Sequence, residues 1–307
     1  MRQIPSLEHA RVAASHTIAD IAAAAECGVD LDAFRAEVGF DERTASRDSF
    51  VSVDLHIRIL DGLSRTLRDP IFGLRAGDRS RISDHPGFAL LLMSCANARE
   101  AFEQYFRFEA LSHDLFRSEL LVDGAVARMR FHSPWFVRPD ARQLVYALPS
   151  GLRTQGGMVL GQKLWMNKFS TSLAPPAEGA AALEEALETE IEWNAGVDEV
   201  VFPASFLDLP IPTADPAVFA MLQKVTVARL DGRDQAEAAP IVRIVGEIIA
   251  EAIPSGQHRI EQIAAKLKQS PRTLQRKLAA ASTSFSDVLD EVRRERAETF
   301  LRDGKLS

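Results

Sequence analysis

The sequence contains few cysteines and no long hydrophobic run. Only two of its 307 residues are cysteine, Cys27 and Cys95, which is too few for a disulfide framework or a cysteine metal cluster. The densest apolar run, residues 88–93, is far shorter than the roughly 20 residues that a membrane-spanning helix needs. Charged residues interrupt the first twenty positions, so no signal-peptide core is visible there. We therefore expect a cytoplasmic protein with reduced thiols and no membrane segment.

The sequence also lacks the common catalytic motifs. It contains no G-x-G-x-x-G, P-loop, H-E-x-x-H or G-x-S-x-G pattern, and its seven histidines are scattered. We therefore expect no enzymatic activity, no metal site and no cofactor. Two alternatives stay open at His132 and at Arg75, which either contact a small ligand or have ordinary roles. The ordinary role is a surface or core histidine for His132 and pairing with a buried acid for Arg75.

The net charge of −7 is unevenly distributed. Residues 258–307 hold eleven Lys and Arg against seven Asp and Glu, a net charge of +4, so the remaining residues carry −11. A basic module attached to an acidic one is typical of a DNA-binding segment on a regulatory domain. A solvated helical face would give the same charge, so this observation needs support from the pattern of helices.

Residues 1–231 combine helical and strand periodicity, which predicts an α+β domain. Two runs that read as strands flank Asp123-Gly124, a strong signal for a β-hairpin turn. An aromatic stripe on one predicted helix, at Phe102, Tyr105, Phe106 and Phe108, is interpreted as core. Predicted helices cover 7–26, 31–38, 53–67, 86–93, 99–111, 139–160, 178–188 and 215–230, and predicted strands cover 115–122, 125–131, 168–173 and 199–202.

Two further features concern helix packing and the domain boundary. Gly157 and Gly161 form a G-x-x-x-G pattern on a predicted helix, which indicates close packing against a neighbouring helix. Residues 232–239 have no apolar periodicity and predict a linker. The predicted organisation is therefore an α+β domain over 1–231, a linker over 232–239 and an all-helical domain over 240–307.

The helical domain contains two short helices separated by a three-residue break at 268–270. Apolar residues recur at helical spacing in the first, and Leu274 and Leu278 face inward in the second. Ser270 is a good N-cap, and Pro271 suits the first helical position. Apolar faces are predicted at Ile241, Ile244, Val245, Ile248, Ile249 and Ala252, at Ile260, Ile263, Ala264 and Leu267, and at Phe285, Val288, Leu289 and Val292.

The outward side of the second short helix carries the side chains that a DNA major groove accepts. Arg can bond guanine and Gln can bond adenine with two hydrogen bonds each, while Lys and a helix N-terminus suit phosphate. Helix, break and basic helix together predict a helix-turn-helix. The predicted DNA-binding residues are Ser270, Arg272, Thr273, Gln275, Arg276 and Lys277.

Several sequence words resemble those of a known family. The words IEQIAAKL (260–267), SPRTLQRKL (270–278), TSF (283–285) and DEVRRERA (290–297) resemble the first helix-turn-helix of AraC-type transcriptional regulators over about fifty residues. The words DPIFGLRAG (69–77), PGFALL (86–91) and FPA (202–204) are similar to the arabinose-binding-type N-terminal domain that accompanies it.

The resemblance implies a transcription factor whose N-terminal domain binds a small-molecule effector and forms a homodimer. It implies promoter DNA and RNA polymerase as partners, base contacts by Arg272, Gln275 and Arg276, and a joining helix from Ser284 to about Leu301. The family normally carries a second helix-turn-helix, which we expect to be missing here because the sequence reaches Ser307 where that unit should begin. The alternative is therefore a truncated, effector-binding and dimerising protein that does not bind DNA strongly by itself.

Overall fold

A computed structural model describes residues 4–5, 9–28, 30–85, 87–253, 258–267, 269–281 and 283–302. For residues 234–240, 243, 251, 280 and 295–302 it describes the backbone alone. The chain divides into two compact units, one up to Thr226 and the other from Val227. The first unit combines a sheet with helices and the second is helical, which confirms the predicted fold class. The predicted domain limits stay predictions.

The first unit begins with a short strand, two helices, a second short strand and a third helix. The helix predicted over 7–26 is wrong at its start, because residues 11–13 pair with a second strand and the helix begins only at Ala14. The Oγ of Ser52 accepts a hydrogen bond from the backbone N–H of Leu55 (3.1 Å) and begins the third helix. The bounds are β1 Arg11–Ala13, α1 Ala14–Ala25, α2 Asp32–Val38, β2 Phe50–Ser52 and α3 Val53–Leu67.

Helices α4 (Phe72–Arg79) and α7 (Arg142–Leu160) pack so closely that their backbones are in contact. A Cβ atom added to Gly73 would lie 1.9 Å from the carbonyl oxygen of Gln143, so glycine is required there. A Cβ atom on Gly77 would lie 2.5 Å from the carbonyl oxygen of Ala147. The sequence analysis missed α4.

The prediction that Gly157 and Gly161 pack closely against a neighbouring helix is wrong. Gly161 has a φ of +64° and ends α7 in the left-handed conformation. The nearest atom to a Cβ on Gly157 is the carbonyl oxygen of Gln162, at 3.3 Å, which belongs to the turn after the same helix. These glycines therefore serve a helix end, and the G-x-x-x-G contact belongs to Gly73 and Gly77.

Helices α5 (Ala89–Ser94) and α6 (Ala98–Phe108) follow α4 in the chain. The Oδ1 of Asn97 accepts the backbone N–H of Glu100 (3.0 Å) and caps α6. Helix α5 begins at Ala89; Pro86, where the sequence predicted its start, lies outside the described residues.

A five-stranded sheet follows, in the order β3-β4-β7-β5-β6. The predicted hairpin is confirmed: β3 (Arg117–Asp123) and β4 (Val126–His132) pair antiparallel, and Gly124 adopts the left-handed conformation with a φ of +56°. The β7–β4 and β7–β5 pairs are antiparallel, whereas β5 and β6 are parallel. The remaining strands are β5 Lys168–Ser170, β6 Glu190–Glu192, which was not predicted, and β7 Glu199–Pro203, and helix α8 Ala180–Leu187 lies between β5 and β6 in the chain.

Helix α9 runs from Pro216 to Ala252. The prediction of a helix that ends near 230 is wrong, because residues 232–239, which the sequence analysis interpreted as a linker, are helical. Those residues lack an apolar stripe, but they are mostly good helix formers such as Ala, Glu and Gln, and propensity maintains the helix. The division between the two compact units falls after Thr226, within the sequence of this helix.

The second unit contains the predicted helix pair and a third helix. Ile263, Leu274 and Leu278 are fully buried, and they pack with Val245, Ile249, Val288 and Val292 in one apolar cluster. Ser284 and Asp287 form a reciprocal cap, because Asp287 Oδ2 accepts the Ser284 N–H (2.8 Å) and Ser284 Oγ accepts the Asp287 N–H (3.2 Å). The helices are α10 Ile260–Lys266, α11 Pro271–Ala280 and α12 Phe285–Arg302; Lys268, in the predicted break, lies outside the described residues.

Candidate functional site

Helix α11 has one buried side and one exposed, polar side. Ser270 Oγ accepts the backbone N–H of Thr273 (3.1 Å) and so begins the helix. Leu274 and Leu278 are fully buried in the apolar cluster. This anchoring leaves the remaining positions of the helix to face away from the core.

The structure places the predicted DNA-binding residues together on α11. Arg272, Gln275 and Arg276 are exposed, at the i, i+3 and i+4 spacing that aligns side chains on one helix face. Thr273 and Lys277 are half-buried beside them. Partial burial, with a smaller effect from the Arg276 guanidinium, lowers the pKa of Lys277. The face combines cations and amides, which attract anions and hydrogen-bond base edges.

The first unit contains a cavity of about 180 Å³. Helices α1, α3, α4, α6 and α7 contribute to its lining, together with β4. Most of the lining is apolar, including Leu60, Phe102, Phe116, Phe131, Leu144 and Leu152. Phe102 and Tyr105 belong to the aromatic stripe that the sequence analysis interpreted as core, so two of its four residues line the cavity.

The polar lining residues gather histidines from several segments. We call this set the polar wall; its members are His16, Asp20, His56, His85, Tyr105, His113 and Gln155. The ring centroids of His16 and His85 are 4.9 Å apart, and those of His16 and His113 are 5.9 Å apart. Four of the seven histidines, which looked scattered in the sequence, therefore meet at one site.

Ser112 connects two of these histidines through a hydrogen-bonded chain. His85 Nε2 lies 2.8 Å from Gln155 Oε1, and an amide oxygen only accepts, so Nε2 carries the hydrogen. A neutral His85 then accepts at Nδ1 from the Ser112 hydroxyl, at 3.1 Å. The Ser112 oxygen in turn accepts from His16 Nε2, at 2.7 Å.

Two atoms of the polar wall have no hydrogen-bond partner. Within the described part of the chain, Asp20 Oδ2 and His113 Nδ1 are buried and accept or donate no hydrogen bond. The other ring nitrogen of His113 lies 3.3 Å from the Tyr105 hydroxyl. Asp20 Oδ2 is 3.6 Å from His56 Nδ1, which pairs instead with Thr17 Oγ1 at 3.0 Å.

Burial shifts the pKa of the histidines and of Asp20 in the polar wall toward their uncharged forms. It lowers the pKa of His56 to about 4 and, with a smaller opposing effect of Gln155, that of His85 to about 4. Burial and then neighbouring histidines lower the pKa of His16 and His113 well below the usual value. Burial, and secondarily the carboxylate of Asp84, raises the pKa of Asp20 well above its usual value.

A buried ion pair supports the segment that carries His113. Arg117 Nη2 lies 2.6 Å from Asp114 Oδ1, and both side chains are buried. Arg117 Nη1 also donates to the carbonyl oxygen of His113 at 3.0 Å. Burial raises the pKa of the neighbouring Glu109 to about 8. Such a pair fixes backbone geometry, because moving either partner leaves an uncompensated buried charge.

The two residues left open as ligand contacts lie outside the cavity lining. His132 Nε2 pairs with Glu119 Oε2 at 3.1 Å on the surface. Arg75 Nε lies 3.4 Å from Asp69 Oδ2, and the arginine side chain is more than half exposed. The sequence analysis missed the polar wall, although His16 and Asp20 are four residues apart and face the core from an alanine-rich helix. That spacing was the available signal.

Two further observations concern metals and membranes. Across the residues that the structure describes, no three His, Cys, Asp or Glu side chains are arranged to hold a metal ion. Among the same residues, no helix combines the length and the apolar character needed to cross a membrane.

Comparison with known proteins identifies the family. Residues 28–211, more than half of the chain, match the family described as the arabinose-binding domain of AraC transcription regulators, N-terminal. The chain belongs to this family. It is a ligand-responsive transcriptional regulator of the AraC type.

Relatives cover much of the chain at low identity. The ornithine utilization regulator of Pseudomonas aeruginosa is 26% identical over 244 residues, which are 78% of this chain and 69% of that protein. The HTH-type transcriptional regulator VirS of Mycobacterium tuberculosis is 26% identical over 262 residues, 83% of this chain and 74% of that protein. The crystal structure of transcriptional regulator CdpR from Pseudomonas aeruginosa is similar in fold, with a TM-score of 0.50, 21% identity, and coverage of 95% of this chain and 87% of that one.

Proposed function

We propose that this AraC-type regulator binds promoter DNA through α11 and that a small molecule bound in the cavity of the first unit controls the binding. In this proposal Arg272, Gln275 and Arg276 contact base edges. Ser270, Thr273 and Lys277 contact the DNA backbone. The observation that carries the proposal is the exposed face of α11, which presents these side chains while the opposite face is fully buried.

The chemistry of these side chains fits the major groove. An arginine guanidinium can donate two parallel hydrogen bonds to guanine, and a glutamine amide can both donate to and accept from adenine, each worth roughly 1–3 kcal/mol of discrimination. The Ser270 cap matters as well, because a helix N-terminus favours a nearby phosphate. The base contacts would set sequence preference, and the flanking contacts would set register.

The first experiment selects binding sites from random DNA with the full chain and then measures gel-shift affinity at fixed salt. We expect Arg276→Ala to weaken the selected site by about 5- to 100-fold and to relax the preference at one base pair, since one bidentate contact is lost. The matched control is Arg65→Ala, which removes the same charge from an exposed position on α3 in the first unit. Unchanged affinity and base preference in Arg276→Ala would contradict the assignment.

Loss of the Lys277 side chain should change DNA affinity in a different way. We expect Lys277→Ala to weaken all sequences alike and to reduce the slope of log affinity against log salt by about 1, because a phosphate contact releases a counterion. A selective loss at one base pair would instead make Lys277 a base contact.

The remaining parts of the proposal concern partners and location. We include a homodimer, supported by three exposed apolar side chains at helical spacing on α9, Val218, Met221 and Val225. Light scattering of Met221→Glu beside the unchanged chain tests it, and an unaltered dimer would place the interface elsewhere. We also include contact with RNA polymerase, action in the cytoplasm where the DNA is, and absence of enzymatic activity.

A further inference from the structure

Two residues that line the cavity, Asp20 and His113, each have a buried side-chain atom without a hydrogen-bond partner, Asp20 Oδ2 and His113 Nδ1. Asp20 is nine-tenths buried and His113 more so. A buried polar atom without a partner costs about 1–3 kcal/mol. Both atoms therefore gain from any molecule in the cavity that can bond to them.

Asp20 and His113 are both related to His16, a third residue of the cavity lining. His16 lies one helical turn before Asp20 on α1, so both side chains share a face. The ring of His16 is also 5.9 Å from that of His113. The lining therefore includes a carboxyl group and an imidazole that are both neighbours of His16.

The charge state of the polar wall limits the ligand. Burial lowers the pKa of His16 and His113 and raises the pKa of Asp20, so each shift disfavours a fixed charge on the polar wall that would balance the charge of a ligand. The fixed charges nearby are already paired, Arg117 with Asp114 and Arg47 with Asp84. Transferring an unpaired ionised group into such a site is far more costly than transferring a hydroxyl group.

The rest of the cavity limits the size and polarity of the ligand body. Aromatic and aliphatic side chains such as Phe102, Phe116 and Leu144 form most of the lining. A cavity of about 150 Å³ with similar walls accepts benzene, so 180 Å³ suits a single ring with a short substituent.

We infer that the effector of this regulator is an uncharged amphipathic alcohol or phenol, whose hydroxyl group bonds Asp20 and His113 and whose single-ring or equally small apolar body fills the cavity. A hydroxyl group donates one hydrogen bond and accepts others, which matches one unpartnered atom on each of the two residues. The inference rests on the proposed effector role of this cavity and adds the chemical class.

Calorimetry on the full chain at neutral pH tests the class with three probes of one skeleton: phenylethanol, phenylacetate and phenethylamine. We expect phenylethanol to bind at least about 10-fold more tightly than the other two, because only the ionised probes must bring a charge into the cavity. Tighter binding of phenylacetate or of phenethylamine would overturn the inference, as would absence of phenylethanol binding at millimolar concentration.

Variants separate a specific site from general partitioning into an apolar space. We expect Asp20→Ala and His113→Leu each to weaken phenylethanol binding about 5-fold or more, and Asp20→Asn, which can still donate and accept, to retain it. Asp61→Ala, at a residue outside the cavity lining on α3, is the control. Urea denaturation confirms folding of each variant, and Asp20→Asn keeps the test valid if His113→Leu does not fold. Equal affinity in Asp20→Ala, Asp20→Asn and the unchanged chain would overturn the assignment.

The DNA-binding measurements keep this inference distinct from the proposed function. If Arg276→Ala loses DNA binding but phenylethanol does not bind, the ligand class is wrong and the DNA-binding proposal stands. If phenylethanol binds through Asp20 and His113 but leaves affinity for the selected DNA unchanged, the site is real and its control of DNA binding is wrong.

Discussion

The two compact units bury polar groups in opposite ways. The first encloses histidines, carboxyl groups and the Arg117–Asp114 ion pair around a cavity. In the second, the cluster around Leu274 and Leu278 is apolar, and the described buried polar groups are separate: the Arg233 side chain, His258 Nδ1 and Gln269 Oε1. The first unit therefore gathers its buried polar groups around a cavity where a ligand can bond to them, whereas the polar side chains of α11 in the second unit lie at the surface.

The largest expected effect concerns the contact between α4 and α7, two helices that line the cavity. We expect Gly73→Ala to lower the free energy of unfolding of the first unit by about 3 kcal/mol or more, because its Cβ would overlap the Gln143 carbonyl oxygen. Urea denaturation followed by tryptophan fluorescence measures this selectively, since all three tryptophans lie in residues 135–193.

The matched control lies on the facing helix. A Cβ on Gly151 has its nearest contact at 3.6 Å from Ser80 Oγ, so Gly151→Ala should leave stability unchanged or raise it by up to about 1 kcal/mol. Equal effects of the two substitutions would mean that the α4–α7 contact is less tight than described.

A smaller effect should appear in the pH dependence of the first unit. The lowered pKa of His56 and His85, about 4 against 6.5, means that the unfolded chain binds more protons between these values. Stability is therefore complete above about 6.5 and is lost as the pH falls toward 4. The raised pKa of Glu109, about 8, acts oppositely, and its contribution is lost as the pH rises toward 8.

These opposed contributions predict a maximum of stability near pH 6.5. Tryptophan-monitored urea denaturation across pH 4 to 9 measures it. We expect Glu109→Gln to flatten the alkaline side and His56→Asn to flatten the acidic side. An alkaline side unchanged in Glu109→Gln would show that another group causes it.

The smallest expected effect concerns the second unit. Ser270→Ala removes the side chain that caps α11 and should cost about 1 kcal/mol. Helical circular dichroism should record the loss, while the tryptophan transition of the first unit stays unchanged. Ser286→Ala, at an exposed position in α12, serves as the control, and an equal loss there would contradict the capping role.

The sequence predicted the second unit better than the first because its signals are local. Leu274, Leu278 and the Ser270 cap all lie within a few residues of each other, and the structure confirms them. The predicted helix end near 230 was wrong because residues 232–239, which lack an apolar stripe, continue α9 as good helix formers.

The cavity could not be predicted because its parts are far apart in the chain. His85 and Gln155 are separated by 70 residues, and His16 and Ser112 by 96. Only the folded arrangement of α1, α6 and α7 brings them together. The glycines illustrate the same difficulty. The G-x-x-x-G pattern at Gly157 and Gly161 predicted a close helix contact, but the glycines that make such a contact are Gly73 and Gly77.

The chain of hydrogen bonds from His16 through Ser112 and His85 to Gln155 has a single direction. Each hydrogen points toward the amide oxygen of Gln155. Reversing the hydrogen at His16 would require the Ser112 hydroxyl to rotate, His85 to change tautomer and the Gln155 amide to turn over. The four groups can therefore reverse their hydrogen bonds only together. This chain links His16 on α1 to Gln155 on α7 through the interior of the first unit.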